Sequence, residues 1–358
     1  MNLVELNCDG FRSLSGLCFK PAPGVNIIRG HNAQGKTSLL EALLFAATSK
    51  SHRTSQETDL VQHGAREFHV AARVQRSDRE VAIEVNWWQG VKRVRVNGLA
   101  LSRVSDLLGK INVVFFSQED VGLVRGSAAQ RRRFLDMELS QLMPGYLHAL
   151  QQYRQVVRQR NELLRGGRRP DPDLLGAWDE QLGTHGSVLM EERRRFVESL
   201  AGPAQEAYGQ VAQGERLQVA YRPDLRDGVP FTEVLAASRD SDIRQGMTTR
   251  GPHRDDLEFL VDGEPARHFA SQGQQRTAVL ALKLAELELV RDRAGEYPIL
   301  MLDDVLSELD TKRSRRLFSV VRCGAQCLMT TTDLGSQDAL FGAECVYFLI
   351  RNGQLVRQ

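Results

Sequence analysis

The stretch Gly30-His31-Asn32-Ala33-Gln34-Gly35-Lys36-Thr37 constrains the fold more than any other part of the chain. It follows Val25-Asn26-Ile27-Ile28, which reads as a short strand, and precedes Leu39, Leu40, Leu43, Leu44 and Ala47 at helical spacing. Strand, glycine-bounded loop and helix in that order make a P-loop. The two glycines let the backbone curl so that its N–H groups turn inward, and the helix start adds its positive end. Lys36 is placed to reach the β- and γ-phosphates of ATP, and the Thr37 hydroxyl to ligate Mg²⁺. Each residue from Gly30 to Thr37 is therefore a candidate for ATP binding.

Pro298-Ile299-Leu300-Met301-Leu302-Asp303-Asp304 is an apolar strand that ends in two carboxylates, as a buried parallel strand does at its C-terminal edge. Without a P-loop the acids would read as a turn or a helix cap. Beside one, Asp303 is the expected Mg²⁺ ligand and Asp304 the group that orients or deprotonates the attacking water. Ala270-Ser271-Gln272-Gly273-Gln274-Gln275-Arg276-Thr277 precedes the apolar helix Val279-Leu280-Ala281-Leu282-Lys283-Leu284-Ala285. A serine and a glycine there can offer a hydroxyl and N–H groups to phosphate, although Ser271 alone reads equally well as an N-cap.

Between these motifs the pattern changes twice. Short alternating runs from Phe68 to about Val104, with Asn97-Gly98 as a hairpin turn, predict an antiparallel β lobe. Adjacent Trp87 and Trp88 fall on opposite faces, one in the core and one partly exposed. From about Asp120 the chain turns helical, with a break at Gly166-Gly167-Arg168-Arg169-Pro170 and a second helical stretch from about Leu174 to Leu200. Two arms of about 25 residues, roughly 40 Å each, make a short antiparallel hairpin. Strand patterning returns at Asp256-Leu257-Glu258-Phe259-Leu260-Val261, before an Asp262-Gly263 turn.

A length of 358 residues with 42% hydrophobic side chains suits one compact domain carrying an insertion. A net charge of +2 neither requires nor excludes a polyanionic partner. The cysteines, Cys8, Cys18, Cys323, Cys327 and Cys345, are odd in number, which predicts a reducing, cytoplasmic setting without structural disulfides. Cys323 and Cys327 lack a second pair at zinc-ligand spacing. The N-terminus alternates like a strand and no apolar run reaches a membrane span, so no membrane association is expected.

Ser271, Gln272, Gly273 and Gln274 resemble the signature loop of ABC-type ATPases, which touches the γ-phosphate held by the P-loop of a second subunit. Gln118, in Phe116-Ser117-Gln118-Glu119, stands at the Q-loop position of that superfamily, which makes it a catalytic candidate beside Lys36 and Asp304. Ser307-Glu308-Leu309-Asp310 stands at the D-loop position. The likeness narrows further. With Leu39-Leu40-Glu41-Ala42, Ser51-His52-Arg53-Thr54, Arg131-Arg132-Arg133-Phe134-Leu135-Asp136 and Gly251-Pro252-His253-Arg254-Asp255, the whole chain resembles the RecF family of bacterial recombination mediators.

That resemblance implies an α/β fold: an ABC/SMC-like P-loop ATPase head with an antiparallel β lobe and an inserted helical hairpin domain. Residues 1–120 would carry the P-loop and β lobe, 121–245 the helical insertion, and 246–358 the signature, Walker B and D-loop. It also implies ATP-dependent homodimerisation, weak DNA-stimulated hydrolysis, and binding to double-stranded DNA and to duplex/single-strand junctions. The implied partners are RecR, and RecO through it, in loading RecA at gaps. Two departures stand out. Gln118 occupies a position where many members carry Pro, and Thr330-Thr331-Thr332 replaces the histidine of the ABC switch loop, leaving a threonine hydroxyl as a substitute sensor of the γ-phosphate.

DNA contacts are the least localised feature. Arg131, Arg132 and Arg133 fan over about 200° of a helix, so they cannot all face one groove. One or two would meet phosphates while the third packs or pairs with Asp136, or the three would form a solvated helix start. Arg154, Arg158, Arg165, Arg168 and Arg169 add a basic stripe along the hairpin, whereas Arg193, Arg194 and Arg195 follow two glutamates and compensate locally. The main competing reading is the ATPase subunit of an ABC transporter. The long insertion between Lys36 and Ser271 argues against it, and no Asn-Lys-x-Asp motif supports a GTPase.

Overall fold

A computed structural model describes residues 1–166, 170–212, 214–225, 228–305, 324–332 and 345–358. The chain begins with strands β1 (Asn2–Asp9), β2 (Leu17–Phe19) and β3 (Val25–Arg29), then helix α1 (Lys36–Thr48). Strands β4 (Glu67–Gln75), β5 (Glu80–Trp88), β6 (Val91–Val96), β7 (Leu99–Ala100) and β8 (Val113–Ser117) follow. Next come helices α2 (Gly122–Arg125), α3 (Ala128–Leu142), α4 (Pro144–Leu164) and α5 (Pro172–Gly209), strand β9 (Leu217–Arg222) and helix α6 (Phe231–Gln245). Strands β10 (Asp256–Val261) and β11 (Glu264–Pro265) lead to helices α7 (Ala266–Phe269) and α8 (Gln272–Ala294). Strands β12 (Ile299–Asp303), β13 (Cys327–Thr331), β14 (Val346–Arg351) and β15 (Gln354–Arg357) complete the described elements.

The chain forms two compact units, one of Met1–Asp120 with Leu282–Gln358 and one of Val121–Ala281. In the first, a sheet orders β15-β14-β3-β13-β12-β8, with every pair parallel except β14 with β15. All of β3 and β13 is buried, and β12 is buried up to Asp303, which explains why β12 reads as an unbroken apolar run rather than an alternating one. Parallel pairing brings their C-terminal ends to one edge, where Asp303 stands opposite both Ser117 and Thr330, and Thr331 opposite Arg29.

The second sheet of this unit orders β2-β1-β4-β5-β6-β7 and is antiparallel. Strands β4 and β5 alternate buried and half-buried positions, as a sheet with one covered face does. Trp87 is buried and stacks on Phe68 with 5.8 Å between ring centroids, while Trp88 is 53% exposed on the other face. Asn97 and Gly98 both have positive φ, 51° and 79°, the requirement of a two-residue type I′ turn. Helix α1 contacts β4 and β5 as well as β8, β12 and β13, and 12 of its 13 residues are buried. That position between two sheets explains its nearly all-round apolar sequence. Burial of Leu39, Leu40 and Leu43 contributes about 1.5–3 kcal/mol each.

In the second unit α4 packs against α5, giving the expected hairpin, but α5 is 38 residues long and continues through Pro203 to Gly209. Gly186 lies against Phe231 of α6, whose ring would meet an added Cβ at 2.6 Å. Fully buried Arg160 of α4 fixes this packing by pairing with Asp179 at 2.9 Å and Asp242 at 2.7 Å. Removing one partner of such a buried group costs about 3–5 kcal/mol. The return to the ATPase part, expected after residue 245, falls instead after Ala281. Strand β10 pairs along its length with β9, from Asp256 with Arg222 to Val261 with Leu217, so residues 246–281 pack with the helical unit.

Candidate nucleotide-binding site

The P-loop leaves β3 at Gly30, where an added Cβ would lie 2.7 Å from the carbonyl oxygen of Ile350 in β14. Only glycine permits that approach. Ala33 and Gly35 then take positive φ, 62° and 107°, a conformation that turns successive N–H groups to one side. The turn after β14 steadies the loop, since Asn352 N donates to Gln34 Oε1 at 2.7 Å and Gly353 N to Gln34 O at 3.0 Å. His31, Asn32 and Ala33 are exposed at the tip. Gly35 is the N-cap of α1 and no side chain caps that helix, which leaves its first N–H groups available to an anion.

Lys36 is 7% exposed, and its Nζ donates to Gly30 O at 2.7 Å and His31 O at 2.9 Å. Burial pushes its pKa down, while the charges of Asp304 and Asp303 hold it up. Thr37 Oγ1 donates to Asp303 Oδ1 at 3.1 Å, so residues 266 positions apart share one hydrogen bond. A hydroxyl and a carboxylate in this arrangement are the hard oxygen donors that suit Mg²⁺.

Asp304 holds a left-handed backbone, φ 51°, uncommon for a residue with a side chain. Gln118 Nε2 donates to Asp304 O at 3.1 Å and approaches Asp304 Oδ2 at 3.4 Å, so the candidate Q-loop residue does meet the second Walker B acid. Thr330 is the first of the three candidate threonines. It is fully buried, its Oγ1 donates to Asp303 Oδ1 at 2.7 Å, and it accepts from Asp304 N at 2.9 Å. Its hydroxyl braces both acids from the neighbouring strand. That role was invisible in the sequence because it depends on β13 pairing beside β12.

Two family segments also meet beneath the P-loop helix. Glu41 of α1 is fully buried, accepts two hydrogen bonds from Arg12, at 3.0 and 2.9 Å, and another from Ser51 Oγ at 2.5 Å. This anchors the Ser51–Thr54 segment, where His52 packs on Phe115 with centroids 4.5 Å apart. Burial lowers the His52 pKa, against the charges of Glu41 and Asp303, and so favours the neutral ring.

The signature residues lie in the other unit. Ser271 N donates to Gln274 Oε1 at 2.7 Å and Gln274 N to Ser271 Oγ at 3.2 Å, a reciprocal capping box at the start of α8. The N-cap reading of Ser271 therefore holds, and Gln274 is its capping partner. Ser271 and Gln272 are exposed, and Gly273 is half-buried. The expected D-loop, residues 307–310, lies outside the described residues, as do Cys323, Arg168 and Arg169. Cys8, Cys18, Cys327 and Cys345 are not joined in disulfides among the described residues, which contain no cluster of three or more metal-ligating side chains.

Arg131 requires a correction. It is 4% exposed, pairs through both Nε and a terminal nitrogen with Asp256 at 2.6 and 2.9 Å, and donates to Leu123 O and Gly126 O. It joins α3 to β10 and is unavailable to DNA, whereas Arg132 is half-buried and Arg133 exposed. Arg193 is also buried, bonded to Asp136, Asp255 and Tyr146, while Arg195 pairs with Glu191 and Glu192 on the surface.

The sequence profile described as the RecF/RecN/SMC N terminal domain matches residues 2–337. A DNA replication and repair protein RecF from Lactobacillus delbrueckii subsp. bulgaricus is 40% identical over 372 residues, covering 100% of this chain and 98% of that protein. The chain belongs to the RecF family. A RecF from Symbiobacterium thermophilum is 43% identical over 348 residues, covering 93% of this chain and 92% of its own. A solved structure of the recombination mediator protein RecF with ATP, in the RecFOR pathway, aligns with a TM-score of 0.92 and 32% identity over 100% of this chain and 97% of that one. An Smc head bound to the C-winged helix domain of ScpA aligns with a TM-score of 0.60 and 17% identity, which shows the shared head fold alone. As a RecF-family member the chain is a DNA replication and repair protein with an SMC-like ATPase fold. The transporter alternative is not favoured, and no helix among the described residues is long and apolar enough to cross a membrane.

Proposed function

We propose that this chain is an ATP-operated DNA clamp. It binds ATP with Mg²⁺, closes as a homodimer on duplex DNA and at duplex/single-strand junctions, and hydrolyses the nucleotide slowly, with stimulation by DNA, to reopen. In the cytoplasm it works with RecR, and with RecO through RecR, to load RecA at single-strand gaps in recombinational repair and replication restart. The observation that carries this reading is the Thr37–Asp303 hydrogen bond, 3.1 Å, which joins the end of the P-loop to the end of the acidic strand. The ATP complex of the relative at 32% identity supports the choice of nucleotide.

Thr37 and Asp303 would hold the Mg²⁺, which when bound supplies positive charge to neutralise the phosphate oxygens. The P-loop N–H groups and the start of α1 cradle the phosphates. Lys36 exchanges the loop carbonyls for β- and γ-oxygens, and the arriving negative charge favours its ammonium form. Asp304, with Gln118 beside it, orients the attacking water and takes up its proton. Ser271, Gln272, Gly273 and Gln274 complete the site from a second copy, so each ATP lies between two chains. Thr330 keeps the two acids in register. Thr330→Val is expected to lower ATP turnover by roughly tenfold, the scale of a lost hydrogen bond to a charged group, while Thr330→Ser restores most of it in a phosphate-release assay. Equal turnover in all three proteins would remove Thr330 from this role.

Ser271→Arg tests the trans arrangement. It is expected to leave ATP affinity within about twofold of wild type, because the P-loop is untouched, and to abolish ATP-induced dimers in light scattering. Dimers that persist in the variant would count against a signature contact in trans. Binding to gapped, duplex and single-stranded DNA, each with and without ATP, tests the clamp itself. ATP-independent binding with no preference for duplex or gaps would contradict it.

A further inference from the structure

Within the helical unit α3, α4 and α5 converge on a cavity of about 260 Å³. Arg132 and Arg133 reach it from α3, Arg154 from α4 and Arg193 from α5, with Asp136 the carboxylate in its lining. The helical spacing explains the convergence, since Arg132 and Arg133 stand four and three positions before Asp136 and so flank it on either side. Arg193 is committed to the packing, with bonds to Asp136, Asp255 and Tyr146. Arg132 gives one nitrogen to Asp255 O at 2.7 Å, and Arg154 gives one to Asp136 Oδ2 at 2.7 Å. A guanidinium carries more donors than one such bond uses.

His253 supplies no further charge. Its Nε2 donates to Thr248 O at 3.0 Å, its Nδ1 accepts from Tyr153 at 2.7 Å, and burial lowers its pKa. The lining itself thus carries four arginines against the one carboxylate of Asp136, with Asp255 paired to Arg193 behind it. Burial, and then repulsion from Arg193, pushes the Arg132 pKa down, while the charges of Asp256, Asp255 and Asp136 hold it up. At about 260 Å³ the cavity is smaller than the roughly 300–1,000 Å³ that encloses a whole small molecule, so it suits one projecting group of something larger. Arg154, Arg158 and Arg165 are exposed along one side of α4 and continue the positive surface away from the cavity.

We propose that this cavity is a phosphate seat, in which Arg132, Arg133 and Arg154 hold one phosphodiester of a duplex DNA backbone and Arg158 and Arg165 follow the same strand along α4. The proposal rests on the DNA-binding reading above and supplies its missing contact surface. Such a contact is blind to sequence and sensitive to salt.

The test measures binding of a fluorescein-labelled duplex to the full chain with ATP, by anisotropy, over a range of salt concentrations. Arg132→Gln/Arg154→Gln is expected to weaken binding about tenfold or more and to lower the slope of log K against log salt by about two, near 0.9 for each phosphate no longer neutralised. Arg195→Gln, a surface cation paired with Glu191, is expected to bind as wild type does. If the double variant unfolds, Arg154→Gln alone, at a 55% exposed side chain, is expected to lower the slope by about one. Unchanged affinity and slope in a folded variant would overturn the proposal. Wild-type protein that binds no duplex with or without ATP would overturn the DNA reading itself. A thermal midpoint raised by inorganic phosphate in wild type but not in the variant would then identify a free anion as the occupant, against a DNA backbone.

Discussion

Lys36→Met is expected to weaken ATP binding by on the order of a hundredfold or more and to eliminate every ATP-induced property downstream of it. The buried ammonium makes charge-assisted hydrogen bonds, each contributing about 1.5–3 kcal/mol, and Met fills similar space without a donor. In the nucleotide-free protein the loss is milder, because Lys36 meets two neutral carbonyls there, Gly30 O, which is buried, and His31 O at the exposed tip. The thermal midpoint should therefore fall only modestly, on the scale of about 1–3 kcal/mol for one buried acceptor left without its donor. Titration with a fluorescent ATP analogue reads the affinity, and light scattering the loss of dimers. Near-normal nucleotide affinity in the folded variant would place the phosphates elsewhere.

Asp304→Asn should give the second large effect, a fall in phosphate release of about a hundredfold to a thousandfold, the range for removal of a positioned base. Asparagine is the informative replacement. At φ 51° the backbone tolerates Asn about as well as Asp, whereas most other residues would add conformational strain and obscure the loss of charge. ATP binding should persist and the dimer should outlive that of wild type, because closure precedes hydrolysis. Normal turnover would displace Asp304 from the water, and rapid dissociation of the dimer would separate opening from hydrolysis.

What could be read from the sequence followed the range of the forces involved. The P-loop and the acidic strand were legible because each is a local pattern, an apolar run ending in residues of defined chemistry. The β lobe was legible from its alternation, down to one tryptophan inside and one outside, which the structure assigns as Trp87 and Trp88. Misreadings arose where a partner lay far away in the chain. Arg131 could not be picked out as the packed one of the three arginines because Asp256, its partner, is 125 positions distant. The bracing of both acids by Thr330 was out of reach because nothing local shows that its strand lies beside β12. The boundary at residue 245 was misplaced because β10 was read as the return of the ATPase part, whereas its pairing with β9 ties it to the helical unit. The second helical stretch, expected to end near Leu200, continues past Pro203 in α5 with Leu200, Ala204 and Tyr208 buried on its packed face. Tertiary burial there outweighs the cost of a proline within a helix.

The central claim is that the P-loop is half of a site whose other half belongs to a second copy. Mixing Lys36→Met with Ser271→Arg tests it most directly, because neither protein alone should form a closed, hydrolysing dimer. In a mixed dimer the intact P-loop of the Ser271→Arg chain faces the intact signature of the Lys36→Met chain, which restores one complete site of two. Phosphate release with DNA present is therefore predicted to reappear on mixing, up to roughly a quarter of the wild-type rate if pairing is random and the sites turn over independently. A mixture as inactive as its separate components, or a Ser271→Arg chain fully active by itself, would contradict the account.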